Sequence, residues 1–178
     1  MPVGPHASQC YPVAGIACGN RLAVSPDGKS VYVAAGSALV AFRRDAATGY
    51  LYWDGCVRDP NIPLSGCYSN GVHGLESGTA GVAVSADNRS VYVASNGLHS
   101  SVSSLTVFDR DPTTGYIYWA GCFRDSGALN GCTRALGLDT ANSVTFGPGG
   151  PLGVCRNRVL QRPGAVHPNA LTRTDARS

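Results

Sequence analysis

Hydrophobic and polar positions alternate in short runs along most of the chain. Leu22, Val24, Val31 and Val33 are separated by small or polar neighbours, and Val82, Val84, Val91 and Val93 repeat that arrangement later in the chain. A period of two marks strands with one buried face. Between the first two runs, Ser25-Pro26-Asp27-Gly28 supplies a tight turn. Proline presets φ, the aspartate bonds nearby amides, and glycine accepts positive φ. Asn88 stands in the place of Gly28 in the second copy. Asparagine tolerates positive φ, so the same turn is predicted there.

The segments 38–42 (ALVAF) and 104–108 (SLTVF) predict third strands. A second hairpin follows, DAATG at 45–49 or DPTTG at 111–115, and then a fourth strand, YLYW at 50–53 or YIYW at 116–119. The two copies are close: residues 39–58 and 105–124 are identical at 12 of 20 positions. A third copy opens at Ser143-Val144-Thr145-Phe146. Repetition of this kind is the mark of repeat architectures. The fold class expected is all-β: antiparallel four-stranded β-propeller blades, two of them plus the start of a third, in an incomplete propeller. The divisions expected are an irregular segment at 1–20, blade one with its cysteine-containing link at 21–80, blade two with its link at 81–142, the start of blade three at 143–150, and an aberrant tail at 151–178.

The pattern AVSPDG-x-x-VYVA, with its short strand ending in Phe and its D-x-x-TG hairpin, resembles the YVTN and lactonase-like seven-bladed propeller repeats over roughly residues 20–146. That resemblance implies a propeller. It also implies that acidic and basic residues beside an innermost strand could assist opening of a lactone ring. Trp53-Asp54 is not read as a WD repeat. The second copy has Trp119-Ala120, and no Gly-His pair precedes it at the required spacing.

Composition agrees with a turn-rich β protein. The chain has 178 residues, with 23 Gly and 11 Pro but only 14% charged residues. Lys29 is the only lysine and Glu76 the only glutamate, so the residues that usually coat exposed helices are nearly absent. No run of 18 apolar residues occurs, so no membrane span is expected. The first twenty residues lack a basic start followed by an apolar stretch, and no signal peptide is read there. The net charge of +3 belongs to the tail: residues 1–146 carry 9 Arg and Lys against 10 Asp and Glu, and residues 147–178 carry 5 Arg against 1 Asp. Nucleic acid is therefore not expected as a partner.

The tail lacks the repeat. Removing one base before the Leu152 codon, with freely chosen GC-rich codons, restores Tyr-Val-Ala, a strand ending in Phe and a Pro-Gly hairpin in register. The tail is read as out of frame and the chain as a truncated piece of a longer propeller. Arg156, Arg158 and Arg162 offer no apolar face, and Pro163 and Pro168 break strands, so residues 151–178 are expected to pack poorly.

The cysteines recur in pairs. Cys56 and Cys67 follow blade one, and Cys122 and Cys132 follow blade two. Intra-loop disulfides are the favoured reading, ahead of free thiols and of zinc, whose ligands are usually spaced two to four residues apart. Paired cysteines point to an extracytoplasmic or secreted parent. Cys10 and Cys18 are a possible further pair, and Cys155 lies in the tail.

No catalytic, cofactor or metal residues are assigned. His6, His73, His99 and His167 do not recur and are read as loop residues. Glu76, near His73 and ahead of an innermost strand, is the most site-like residue. Asp45 and Asp111 recur as hairpin caps. Asn88-Arg89-Ser90 is a glycosylation sequon in a hairpin turn. The function expected is a non-catalytic repeat scaffold, with a fragment of a lactonase-type hydrolase (6-phosphogluconolactonase-like) as the alternative. Self-association is expected through open blade faces lined by Val31, Val33, Phe42 and Tyr52, and by Val91, Val93, Phe108 and Tyr118.

Overall fold

A computed structural model of the chain describes residues 2–3, 12–75, 78–96, 102–125, 131–138, 140–146 and 152–156. Among the described residues there is no helix, and the strands form three separate sheets, none closed into a barrel. The first blade runs from β2 (Gly19–Val24) through β3 (Ser30–Ala35) and β4 (Ala38–Arg44) to β5 (Leu51–Arg58), each strand antiparallel to the one before. The second repeats it with β6 (Thr79–Val84), β7 (Ser90–Ser95), β8 (Ser104–Arg110) and β9 (Ile117–Arg124). Strand order in both follows the chain, as the repeat predicts.

Each of these two blades gains a short fifth strand that sequence reading missed. β1 (Pro2–Val3) adds antiparallel to the start of β5, and β10 (Thr133–Arg134) adds parallel to the end of β9. The fourth strands also run past Trp53 and Trp119. A register shift at Ala41/Phe42, repeated at Val107/Phe108, carries the strand through Asp54-Gly55 and Ala120-Gly121, which look like turns in the sequence. Cys56 and Cys122 therefore stand on strands rather than in links.

The hairpin chemistry is as read from the sequence. Gly28 has φ 71° and Asn88 has φ 62°, so asparagine replaces glycine at the left-handed position of the same turn. Asp45 Oδ1 accepts from the amides of Ala47 and Thr48, and Asp111 Oδ1 from those of Thr113 and Thr114.

The blades stack face to face. Tyr32, Ala34, Leu39 and Val57 of blade one meet Val82, Val84, Val91, Val93 and Phe108 of blade two, with Val72 and Leu75 of the link between them. This corrects the expectation that Val91, Val93 and Phe108 line an open face; they are fully buried against blade one. Alternation shows that a strand has two faces, but not which one meets a neighbour. The opposite face of blade two carries Ala83, Ala94 and Leu105, packed against Leu138, Ala141 and Val144. On the far face of blade one, Val31, Val40 and Phe42 pack with Val13 and Ala14 of the N-terminal segment.

The third unit extends further than expected. β11 (Ala141–Phe146) pairs antiparallel with β12 (Leu152–Arg156), and Val154 packs beside Val144. The first five tail residues in this hairpin, LGVCR, still alternate, and the prolines that break the pattern come later. Residues 157–178, with Arg158, Arg162, Pro163 and Pro168, lie outside the described residues.

Candidate functional site

The link between the blades holds a polar cluster beside a disulfide. Cys56–Cys67 and Cys122–Cys132 are disulfides, with Cα atoms 4.7 and 4.6 Å apart. Each ties the residue after the loop back to its own fourth strand: the Tyr68 amide donates to the Cys56 carbonyl, and the Arg58 amide to the Tyr68 carbonyl. Cys18 is a free, exposed thiol. It has φ 58° and precedes Leu22 as Gly78 (φ 84°) precedes Val82 and Thr140 (φ 56°) precedes Val144. Cys18 is thus a turn residue of the repeat. Cys10 lies outside the described residues.

His73 follows the first disulfide. Its Nδ1 is 3.9 Å from Oδ2 of Asp59, whose side chain is 0% exposed, while the imidazole is 29% exposed. Asp59 Oδ1 accepts from the Asn61 backbone amide and side-chain amide, and Oδ2 accepts from the Gly74 amide at 3.3 Å. His73 Nδ1 is buried and has no hydrogen-bond partner. Trp119 meets the ring edge-on at 5.7 Å, and its indole N–H donates to the His73 carbonyl. Gly131, inside the second disulfide loop, sits against the other side of the imidazole. Gly74 has φ 93°, and a Cβ there would collide with Thr106 Oγ1, so only glycine lets the link lie this close to β8. Its carbonyl accepts from the hydroxyls of Ser95 and Ser104. The backbone at His73 and Gly74 is therefore held at several points. Arg124 is buried nearby; burial pushes its pKa down, and the Asp59 charge pulls it back up.

The arrangement holds a partly exposed imidazole beside a buried carboxylate, residue types suited to general-base chemistry. Sequence reading passed over Asp59. The signal was present: Arg58-Asp59 recurs as Arg124-Asp125, and Asp125 Oδ2 accepts from the Gly137 amide as Asp59 Oδ2 does from Gly74. Glu76, His6, His99 and His167 lie outside the described residues. Among the described residues no three His, Cys, Asp or Glu side chains are placed to share a metal ion.

A second cluster joins the blades. The Arg110 side chain, fully buried, donates from Nη2 to Asp27 Oδ2 at 3.1 Å and to Ser30 Oγ at 3.0 Å, and from Nε to the Tyr32 hydroxyl at 2.9 Å. The Tyr32 hydroxyl donates in turn to the Gly115 carbonyl. Burial tends to raise the Asp27 pKa, but bonds from Ser25, the Lys29 amide and Arg110 hold it below its ordinary value of 3.8.

No family model matches the chain, and no curated protein matches it. Solved structures do. A candidate 6-phosphogluconolactonase from Bacteroides uniformis superposes with a TM-score of 0.57 at 17% identity, over 84% of this chain and 36% of that one. The chain shares its fold with part of that structure. The periplasmic gluconolactonase of Pseudomonas aeruginosa superposes with a TM-score of 0.51 at 20% identity, over 81% of this chain and 34% of that one. The chain spans about a third of the length of each of these structures.

Proposed function

We propose that the chain is part of a lactonase-type propeller acting on sugar lactones, with His73 as general base and Asp59 as the buried carboxylate beside it. The observation that carries this reading is the His73–Asp59 pair on the link between the blades of a chain that shares its fold with part of a candidate 6-phosphogluconolactonase. His73 takes a proton from water as the water oxygen bonds to the lactone carbonyl carbon. The ring C–O bond then breaks, and the released alkoxide takes the proton to give the open hydroxy acid. A base so placed contributes about 10²–10⁴-fold. The paired disulfides fit a parent outside the cytoplasm.

The competing reading is a non-catalytic scaffold. It is favoured by the recurrence of the Asp59–Gly74 bond as Asp125–Gly137, which gives the carboxylate a structural task in every link. Hydrolysis of δ-gluconolactone by the full chain, followed by pH-stat, separates the two. The lactonase reading expects a rate above spontaneous opening that His73→Ala returns to background. A rate equal to background for the unaltered chain overturns it and leaves the scaffold.

A further inference from the structure

Outside the covered core, the space between the two blades opens into a groove of about 690 Å³, within the usual size of small-molecule sites. One wall is blade one: Leu39, Ala41, Asp54 and Val57. The other is the start of β9 with its turn, Tyr116 to Trp119, and Tyr68 and Val72 of the link close one end. Tyr68 and Tyr116 are more than half exposed, although aromatic rings normally dominate buried surface. Exposed apolar surface gathered around one concavity marks an interaction site more often than scattered residues do.

Among the described residues, Asp54 is the only charged side chain lining this groove. It is half-buried and, among the described residues, has no hydrogen-bond partner. Burial pushes its carboxyl above the ordinary range, with the Arg43 charge opposing. Arg43 does not line the groove, and its guanidinium lies over the Tyr52 ring, 4.7 Å from the centroid. The repeat shows that the carboxylate is not needed to build a blade: the matching residue in blade two is Ala120. Arg43 offsets the Asp54 charge without forming an ion pair with it, so a half-buried carboxylate on an apolar groove is better compensated by a cation seated beside it. Aromatic side chains beside it favour a cation over a neutral group.

We propose that this groove is a binding site for a small organic cation, with the ammonium or guanidinium head at Asp54 and the apolar body along Ala41, Ile117 and Trp119. The site does not depend on the lactonase reading, since neither His73 nor Asp59 lines the groove. The nearest competing ligand is a saccharide, which would stack on the same rings and use Asp54 as a hydrogen-bond acceptor.

The chain has two tryptophans, so Trp53→Phe leaves Trp119 as the single fluorescent reporter at the groove. In that background the probes are benzyltrimethylammonium, phenylacetate and methyl glucoside. The cation should quench Trp119 saturably, and phenylacetate and methyl glucoside should not. Asp54→Asn should weaken the cation by about tenfold, the order of one partly desolvated charge contact. Asp54→Glu should retain binding, and circular dichroism on both variants reports folding. The proposal is overturned if the cation gives no saturable response, or if Asp54→Asn binds it as tightly as the parent. It is also overturned if methyl glucoside or phenylacetate binds equally well.

Discussion

Blade one and blade two share a sequence pattern but differ in what covers them. Leu22 and Val24 on β2 are 63% and 48% exposed, whereas their counterparts Val82 and Val84 on β6 are 7% and 9% exposed. The hydrogen-bond registers are the same: Leu22 pairs with Val33 and Val24 with Val31, as Val82 pairs with Val93 and Val84 with Val91. The difference comes from outside the sheet. Val82 and Val84 rest on the Tyr32–Leu39 face of blade one, and nothing described rests on Leu22 and Val24 in the same way. The arginines tell the same story. Arg110 crosses to Asp27, Ser30 and Tyr32 of the preceding blade, whereas among the described residues the side chain of Arg44, its counterpart, donates only to the Gly28 carbonyl within its own blade. A blade of this repeat therefore carries its own sheet but borrows half of its core and its main polar clamp from its neighbour.

The comparison breaks most sharply at the arginines. Arg110→Ala leaves Asp27 and Tyr32 without their buried donor. Loss of one partner from a buried pair costs about 3–5 kcal/mol, and the partial exposure of Asp27 lowers this to about 2–4. Arg44→Ala should cost less than about 0.5 kcal/mol, as surface changes usually do. Urea denaturation of the two variants measures both, and equal losses would show that the clamp is not what joins the blades.

The apolar pair gives a smaller contrast. Val82→Ala removes two buried methyl groups and should cost about 2 kcal/mol. Leu22→Ala should cost little in a monomer. If the open face of blade one self-associates, Leu22→Asp should instead lower the sedimentation coefficient at high concentration while leaving the dilute value unchanged.

The third contrast is pH. Asp27 is held below its ordinary pKa, so it stabilises the fold above the unfolded value of 3.8, and that contribution is lost as pH falls through its lower folded value. Asp27→Asn should therefore melt below the parent at neutral pH and converge with it in strong acid. A constant gap across the titration would place the stabilisation elsewhere.

What the sequence could and could not reveal follows from range. Strands, turns and the Asn88 substitution rest on contacts within a single blade, between neighbouring stretches of chain, and they are legible from alternation and turn chemistry. The disulfides are legible because the spacing recurs. The stacking direction rests on Tyr32 meeting Gly115 and Asp27 meeting Arg110, pairs about eighty residues apart, and no local pattern encodes it. Both faces of β6 are buried, which hides the single-face signal there altogether. Of the candidate site, His73 was noticed as a lone histidine, but its partner Asp59 was not. The recurring Arg-Asp step that marks it looks like ordinary surface charge until Gly74 and Gly137 are seen bonded to it.

The claim that neighbouring blades, rather than the sheets themselves, provide the protection is tested most directly by amide hydrogen exchange resolved to β2 and β6. Ala23 and Ala83 hold the same place in the same ladder, opposite Tyr32 and Tyr92. The account predicts that β6 amides exchange more slowly than β2 amides by the factor that a few kcal/mol of local stability implies, on the order of a hundredfold. Equal protection of the two strands would contradict it.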